Sequence, residues 1–240
     1  MKILLATQGS QGVVALRELF AENFQPENIH VAVCSKGENG PLLEFIRYNQ
    51  MAYSSHSSGK DFEHWLLNDE TEYQILLSIS WAYLFSQSVI DQFPGRAVNF
   101  HPGLLPDYRG CFSIPWSIIN EEEYVGFTYH YITKNFDEGN IVLLEKILID
   151  QVDTAHSLNY RVFQRGLSKL AVVIRLIGKE GKRQSGDAKY YPNRLPFDGR
   201  VNEKWTNKQK NLFFRAMYFP PHENSLELLP ESILLNTKSE

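Results

Sequence analysis

Over its first hundred residues this chain alternates short apolar runs with stretches of helical periodicity, and that alternation leaves few folds open. Lys2 to Ala6 is a continuous apolar run, Ile29 to Cys34 a second, Tyr73 to Ile79 a third and Ala97 to Phe100 a fourth. Between them, Val13 to Asn23 places Val13, Val14, Leu16, Leu19 and Phe20 on one helical face. Pro41 suits the first turn of a helix running to Tyr48. Phe62 to Leu67 and a short stretch ending at Val89 to Phe93 complete the set, and the small polar residues His56 to Lys60 read as a loop. This alternation of strand and helix implies a parallel sheet with helices on both faces.

After residue 100 the pattern changes. Gly126 to Ile132 and Ile141 to Ile149 are β-rich and read as antiparallel additions to the sheet. Asp153 or Thr154 can cap the next helix, whose apolar stripe Leu158, Val162, Phe163, Leu167, Leu170, Ala171 and Ile174 is a core face. Gly178 to Asp187 is a charged turn. Thr206 to Tyr218 reads as a helix broken by Pro220-Pro221. Ser225 to Leu229 and Ser232 to Asn236 flank Pro230-Glu231 and can pair as a hairpin. An apolar hairpin of that size is not stable alone and must be covered. The expected division is therefore 1–200 as the main domain and 201–240 as a helix-and-hairpin extension. Either its own domain or a second copy of the chain can cover the hairpin, and a two-fold pairing of the same hairpin is the simpler closed solution, giving an expected homodimer.

The run Asn99-Phe100-His101-Pro102-Gly103-Leu104-Leu105-Pro106-Asp107-Tyr108-Arg109-Gly110 ends the fourth strand. Residues two apart on a strand share a face, roughly 6–7 Å apart, so a carboxamide and an imidazole look into one volume. Pro102 and Pro106 stop the strand and stiffen its exit. Open α/β sheets bind ligands at such strand ends. About 35 residues further on, Asn135-Phe136-Asp137-Glu138-Gly139-Asn140 brings a carboxylate to a turn before a new strand. Read alone, Asn99-x-His101 can equally serve loop backbone, and Asp137 can be a turn former before glycine.

Together these segments resemble the formyltransferases that use N10-formyltetrahydrofolate. Asn99-x-His101, then Gly103-Leu104-Leu105-Pro106-Asp107-Tyr108-Arg109-Gly110, then Asp137-Glu138-Gly139 follow that family's pattern over roughly residues 1 to 200. Asp153-Thr154-Ala155-His156-Ser157-Leu158 resembles its later helix entry. Gly103 departs from the serine that many relatives carry. The resemblance implies an α/β, Rossmann-like, mostly parallel sheet with antiparallel additions. It implies Asn99, His101 and Asp137 as the catalytic group. It places the folate cosubstrate along Trp81, Tyr83, Leu84 and Phe85 and along Lys134, Asn135 and Phe136, mainly through backbone, with Leu84 and Phe85 against the pterin.

Formyl transfer needs an oxyanion donor and a proton acceptor for the attacking amine. The Asn99 amide supplies N–H without ionising. A histidine can relay a proton near neutral pH, and Asp137 can orient it and stabilise its cation. His130 lies in an alternating strand and reads as structural. Gln8-Gly9-Ser10-Gln11-Gly12 opens the first helix, so Gly9 and Ser10 form either a tight turn or a phosphate site.

Composition narrows the rest. With 43% hydrophobic and 22% charged residues, 240 residues suit a soluble globular protein. A net charge of −4 speaks against a broad nucleic-acid footprint. There is no apolar run of membrane-spanning length, and the apolar start stops at Thr7, too early for a signal peptide. Cys34 and Cys111 make neither a disulfide framework nor a thiol metal site, and the seven histidines have no ligand spacing. The expectation is a cytoplasmic, metal-independent protein without nucleic-acid or membrane partners.

Within the resemblance, the tRNA enzyme is longer, and the glycinamide ribonucleotide enzyme leaves residues 200 to 240 unexplained. A formyltetrahydrofolate hydrolase carries an N-terminal regulatory domain, and a catalytically silent folate- or nucleotide-binding regulator would not need the intact triad. Asp198-Gly199, Arg215-Ala216 and Phe219-Pro220-Pro221 resemble the nucleotide-sugar N-formyltransferases. The implied acceptor is an amino-dideoxysugar on a nucleotide, expected to be dTDP, for surface polysaccharide synthesis. Pro102, Gly103, Arg109, Arg215 and Tyr218, with Gly9 and Ser10, are its expected contacts.

Overall fold

A computed structural model describes residues 1–220. The chain divides into two compact units. The first comprises Met1–His101, Thr128–Leu144 and Gln164–Ser185. Its sheet begins with β1 (Ile3–Thr7), β2 (Ile29–Cys34), β3 (Ala52–His56), β4 (Ile75–Ile79) and β5 (Ala97–His101). These run in the order β3-β2-β1-β4-β5, all parallel. β7 (Tyr124–Tyr131) then pairs antiparallel with β5, and β8 (Ile141–Leu148) lies beyond it. The mostly parallel sheet with added antiparallel members is thus present as the sequence pattern predicts.

Every residue of β1 and β4 is buried, as continuous apolar runs between parallel neighbours require. Leu4, Ala6, Ala32, Leu76 and Ala97 gather on one face with Phe62 and Leu66 of α3 (Gly59–Asn68) and Val89 of α4 (Gln87–Asp91). α1 (Gly9–Ala21) packs against α2 (Gly40–Tyr48) and α7 (Leu170–Leu176).

Three features depart from the sequence reading. β3 is an additional edge strand, hidden in the sequence because Ala52-Tyr53-Ser54-Ser55-His56 has no apolar run. The His56–Lys60 loop is correspondingly shorter: His56 closes β3, and Ser58 caps α3 by accepting from the Asp61 amide at 3.1 Å. The stripe from Leu158 to Ile174 belongs to two helices, α6 (Ala155–Leu167) and α7, broken around Ser168 and Lys169. Of the two cap candidates Thr154 does the work, its hydroxyl accepting from the Ser157 amide at 3.2 Å while Ser157 Oγ accepts from the Thr154 amide at 3.0 Å.

The second unit comprises Pro102–Phe127, Glu145–Phe163 and the described residues from Gly186. It holds a two-stranded parallel ladder, β6 (Arg109–Gly110) with β9 (Tyr190–Tyr191), which sequence reasoning did not find. Tyr108 stacks on Tyr191 beside it, ring centroids 5.2 Å apart. α5 (Ser113–Ile119) packs on α8 (Asn207–Met217), which opens with a capping box between Thr206 and Gln209. The expected hairpin at 225–236 lies outside the described residues.

Candidate active site

β5 ends with Asn99 and His101 on one face of the sheet, as the two-residue period demands. The antiparallel register sets His130 opposite Asn99 and Thr128 opposite His101. Four polar side chains therefore share a patch of an otherwise apolar sheet. His101, His130 and Thr128 are buried, and Asn99 is half-buried.

Asp137 enters from the turn between β7 and β8. Its backbone is left-handed, φ 53°, a region tolerated by aspartate. Two residues on, the backbone at Gly139 passes so close to β7 that a Cβ there would lie 1.8 Å from the Tyr131 carbonyl oxygen. Gln184 locks the turn, its Nε2 donating to the Asp137 carbonyl at 2.7 Å and to the Gly139 carbonyl at 2.8 Å. The carboxylate so held is buried between two imidazoles: Oδ2 is 3.6 Å from His101 Nδ1 and Oδ1 is 3.3 Å from His130 Nε2.

The carboxamide of Asn99 is oriented from two sides. Ser78 Oγ on β4 donates to Oδ1 at 2.8 Å, and Nδ2 lies 3.1 Å from His130 Nε2. His130 Nδ1 is 3.0 Å from the Tyr131 carbonyl. The structure thus brings together Asn99, His101 and Asp137 and adds Ser78, His130 and Gln184. Ser78 had a signal in sequence, a lone hydroxyl inside the apolar run Ile75–Ile79. His130 had one only through its register with Asn99. Gln184 lies in the charged turn and had none.

The expected folate segments are also in the first unit. Trp81 and Phe85 stack on each other at 6.0 Å and meet Phe62 edge-on, so both pack back on the core. Trp81 Nε1 is buried without a hydrogen-bond partner. Tyr83 donates to the His56 carbonyl at 3.3 Å, and Lys36 sits over its ring. Leu84 and Phe136 are exposed, as are Lys134 and Asn135.

At the opening of α1, the Gly9 amide donates to Asn39 Oδ1 at 2.8 Å. Gly12 gives close packing: a Cβ there would meet Thr7 and Leu42 at about 3 Å. These contacts account for the glycines by packing and turn geometry, and Ser10 Oγ reaches its neighbour Gln11 at 3.4 Å.

In the second unit, the Pro102 carbonyl accepts from Ser113 Oγ, and Gly103 is buried. The Arg109 guanidinium donates to the Tyr190 hydroxyl and lies over the Tyr190 ring. Arg215 is turned inward: Nε donates to the Asp153 carbonyl at 2.6 Å and Nη2 to the Asp150 carbonyl at 3.0 Å. Burial lowers its pKa from the usual arginine value. This is the geometry of a residue tying α8 to the segment before α6. Tyr218 follows the helix as its C-terminal cap, its N–H still donating to the Phe214 carbonyl and its ring edge-on to His156.

Among the described residues no cluster of His, Cys, Asp or Glu could hold a metal ion, and no helix is long and apolar enough to cross a membrane. What the cluster around Asp137 offers is an amide donor, an imidazole and a buried carboxylate within reach of one another, the set that acyl transfer to an amine requires.

Known proteins carry the same framework. The family described as formyl transferase matches residues 22–174. A GDP-perosamine N-formyltransferase of Brucella melitensis is 32% identical over 223 residues, spanning 92% of this chain and 86% of that protein. The chain therefore belongs to the formyl transferase family and is a formyltransferase by descent. In three dimensions it is similar to the N-formyltransferase of Helicobacter canadensis solved with folinic acid and dTDP-3-aminofucose. That likeness has a TM-score of 0.75 and 21% identity, and covers 91% of this chain and 81% of that one. A phosphoribosylglycinamide formyltransferase of Bacillus halodurans gives a TM-score of 0.64 at 20% identity, covering 75% of this chain and 96% of that one.

Proposed function

We propose that this formyltransferase moves the formyl group of N10-formyltetrahydrofolate to the amine of a nucleotide-linked amino-dideoxysugar. The observation that carries the reading is the grouping of Asn99 and His101 at the end of β5 with the buried carboxylate of Asp137, in a chain whose match to a nucleotide-sugar enzyme spans nearly its whole length. Coverage separates the acceptor classes. The glycinamide ribonucleotide enzyme accounts for 75% of this chain and is itself almost fully covered, so it leaves a segment without a counterpart.

The amine nitrogen attacks the formyl carbon, and the carbonyl π pair moves to oxygen. An N–H of Asn99 stabilises that oxyanion. His101 takes the proton that the attacking nitrogen must lose, and Asp137 stabilises the resulting imidazolium. Collapse re-forms the carbonyl and breaks the bond to N10 of the folate, which leaves with a proton as tetrahydrofolate. On the cosubstrate side, Leu84 and Phe136 are exposed apolar groups available to a pterin, Trp81 and Phe85 stack on each other in the Leu84 segment beside Tyr83, and Lys134 and Asn135 are exposed next to Phe136.

The C-terminal motif supports a nucleotide-sugar acceptor, and the likeness to an enzyme solved with dTDP-3-aminofucose supports dTDP as its nucleotide. The match to a GDP-perosamine enzyme makes GDP the second reading. The further parts of the proposal are cytoplasmic action, a role in surface polysaccharide synthesis and a homodimer built through residues 201–240. The deciding experiment is a panel of dTDP-, GDP- and UDP-linked amino sugars, with glycinamide ribonucleotide as a control, following folate deformylation by absorbance. Turnover that requires an amino sugar supports the reading. Deformylation without any acceptor, or only with glycinamide ribonucleotide, refutes it.

A further inference from the structure

We propose that His130 is a positioning residue that aligns Asn99 and leaves Asp137 to His101, acting in the neutral form with its proton on Nδ1. This rests on the formyl-transfer reading of Asn99, His101 and Asp137 and assigns a role that the triad alone does not contain.

The argument is one of donors and acceptors. His130 Nδ1 lies 3.0 Å from the Tyr131 carbonyl oxygen, which can only accept, so Nδ1 carries a proton. In the neutral ring Nε2 is then a bare lone pair. That atom has two neighbours with opposite demands. Asn99 Nδ2, at 3.1 Å, offers a proton, whereas Asp137 Oδ1, at 3.3 Å, asks for one. One nitrogen cannot satisfy both.

The contact with Ser78 fits the first of these. Its hydroxyl donates to Asn99 Oδ1 at 2.8 Å, the amide orientation in which Nδ2 faces His130. With both ends of the amide engaged, its plane is set, and the second N–H of Asn99 remains for an oxyanion. The Nε2 lone pair meanwhile faces the carboxylate without attracting it. The favourable partner of Asp137 is then His101, whose Nδ1 is 3.6 Å from Oδ2. A second proton on His130 reverses both effects. Nε2–H binds Asp137, and Asn99 must turn its oxygen toward the ring, which points its donor away. The groups facing His130 across β5 and the Asp137 turn are Asn99, Asp137 and the His101 ring, 6.4 Å away between centroids.

Two measurements on the full-length protein test this. The first needs no substrate: histidine-selective 15N labelling reports which ring nitrogen of His130 is protonated at pH 7.5, with the signal assigned from His130→Gln. A bare Nε2 is expected, and a protonated Nε2 overturns the proposal. The second is kinetic. His130→Leu removes the acceptor and should lower kcat about 10–100-fold, a fraction of the loss of a whole oxyanion donor, with both KM values within about 2-fold. His130→Gln places an amide oxygen near the former Nε2 and should recover kcat to within about 5-fold of the unaltered enzyme. In an Asn99→Ala background, His130→Leu should cost much less than it does alone. Equal losses in the Leu and Gln variants, or full additivity with Asn99→Ala, overturn the proposal. Thermal unfolding of each variant identifies a Leu variant that does not fold, and the Gln variant and the label then decide. If the unaltered protein formylates no acceptor, the functional reading has failed, whereas a protonated Nε2 in an active enzyme is a failure of the His130 assignment alone.

Discussion

Two pairs of histidines lie in the same sheet and have opposite fates. His30 on β2 and His56 on β3 are bridged by Ser54 Oγ, at 3.0 and 2.7 Å. Aromatic rings surround them: Trp65 lies 4.7 Å from His30, and Phe62 lies edge-on to His56 at 5.2 Å. Burial pushes the His30 pKa down to about 4, against a smaller opposing pull from Asp69, and burial also lowers that of His56 against Asp61. His101 and His130 on β5 and β7 are just as enclosed, but a carboxylate stands between them. Burial alone makes an imidazole a packing group that stays neutral. Burial beside an acceptor and an oriented amide makes it part of a proton-handling device. Position in the sheet also matters, since β5 is where the parallel order stops and an antiparallel strand supplies a facing row of side chains.

The sharpest way to break this contrast is to truncate one member of each pair. His101→Ala, Asn99→Ala and Asp137→Ala should each lower kcat by about 10²–10⁴-fold with little change in unfolding temperature. His30→Ala should do the reverse. It opens a hole under Trp65 and costs about 1–3 kcal/mol of stability, with kcat within about 3-fold. Steady-state kinetics beside thermal unfolding separates the two. A His30 variant that is stable but inactive, or a His101 variant that is active, would show that the pairs have been assigned the wrong way round.

A smaller effect should come from the turn that aims Asp137. Gly139→Ala puts a methyl group onto the Tyr131 carbonyl, 1.8 Å away, where only backbone can move. Asp137 lies two residues upstream and would shift with it. Misplacement by about 1 Å can cost on the order of 10²-fold in rate, so a loss of about 10–100-fold in kcat is expected. Gly40→Ala is the control, because a Cβ there meets nothing within 4 Å. Unchanged kinetics in Gly139→Ala would mean that Asp137 does not depend on this turn for its aim.

How much of this was legible follows from the same physics. Local signals served well. The apolar runs that became β1, β2, β4 and β5, the two-residue spacing of Asn99 and His101, and the Asp137 turn all depend on neighbours in sequence. What depended on pairing did not show. β3 lies at the sheet edge with polar side chains, so its hydrogen bonds to β2 create it without an apolar signature. His130 reads as an ordinary alternating residue until its register with Asn99 is known. Arg215 fits a ligand contact by residue type, yet only the tertiary structure shows its guanidinium engaged with the carbonyls of Asp150 and Asp153. The packing of Trp81 and Phe85 against Phe62 likewise follows from where α3 lies.

The smallest expected effect concerns acid stability and sharpens the role of the first pair. His30 has a folded pKa of about 4 against an unfolded value of 6.5. Between those values the unfolded chain binds a proton that the folded chain refuses. The stability this neutral ring contributes is therefore complete above pH 6.5 and declines as the pH falls toward 4. Its slope is at most ~1.4 kcal/mol per pH unit and is reduced by solvent screening. His56, shifted the same way, adds to the decline. His30→Gln removes the titration and keeps an amide that can meet Ser54, so its unfolding temperature should fall less steeply from pH 7 to pH 5 than that of the unaltered protein, whatever its value at pH 7. Parallel slopes would mean that His30 accepts its proton in the folded state, with Asp69 outweighing burial, and that the β2–β3 pair is closer in kind to the pair around Asp137 than its aromatic surroundings indicate.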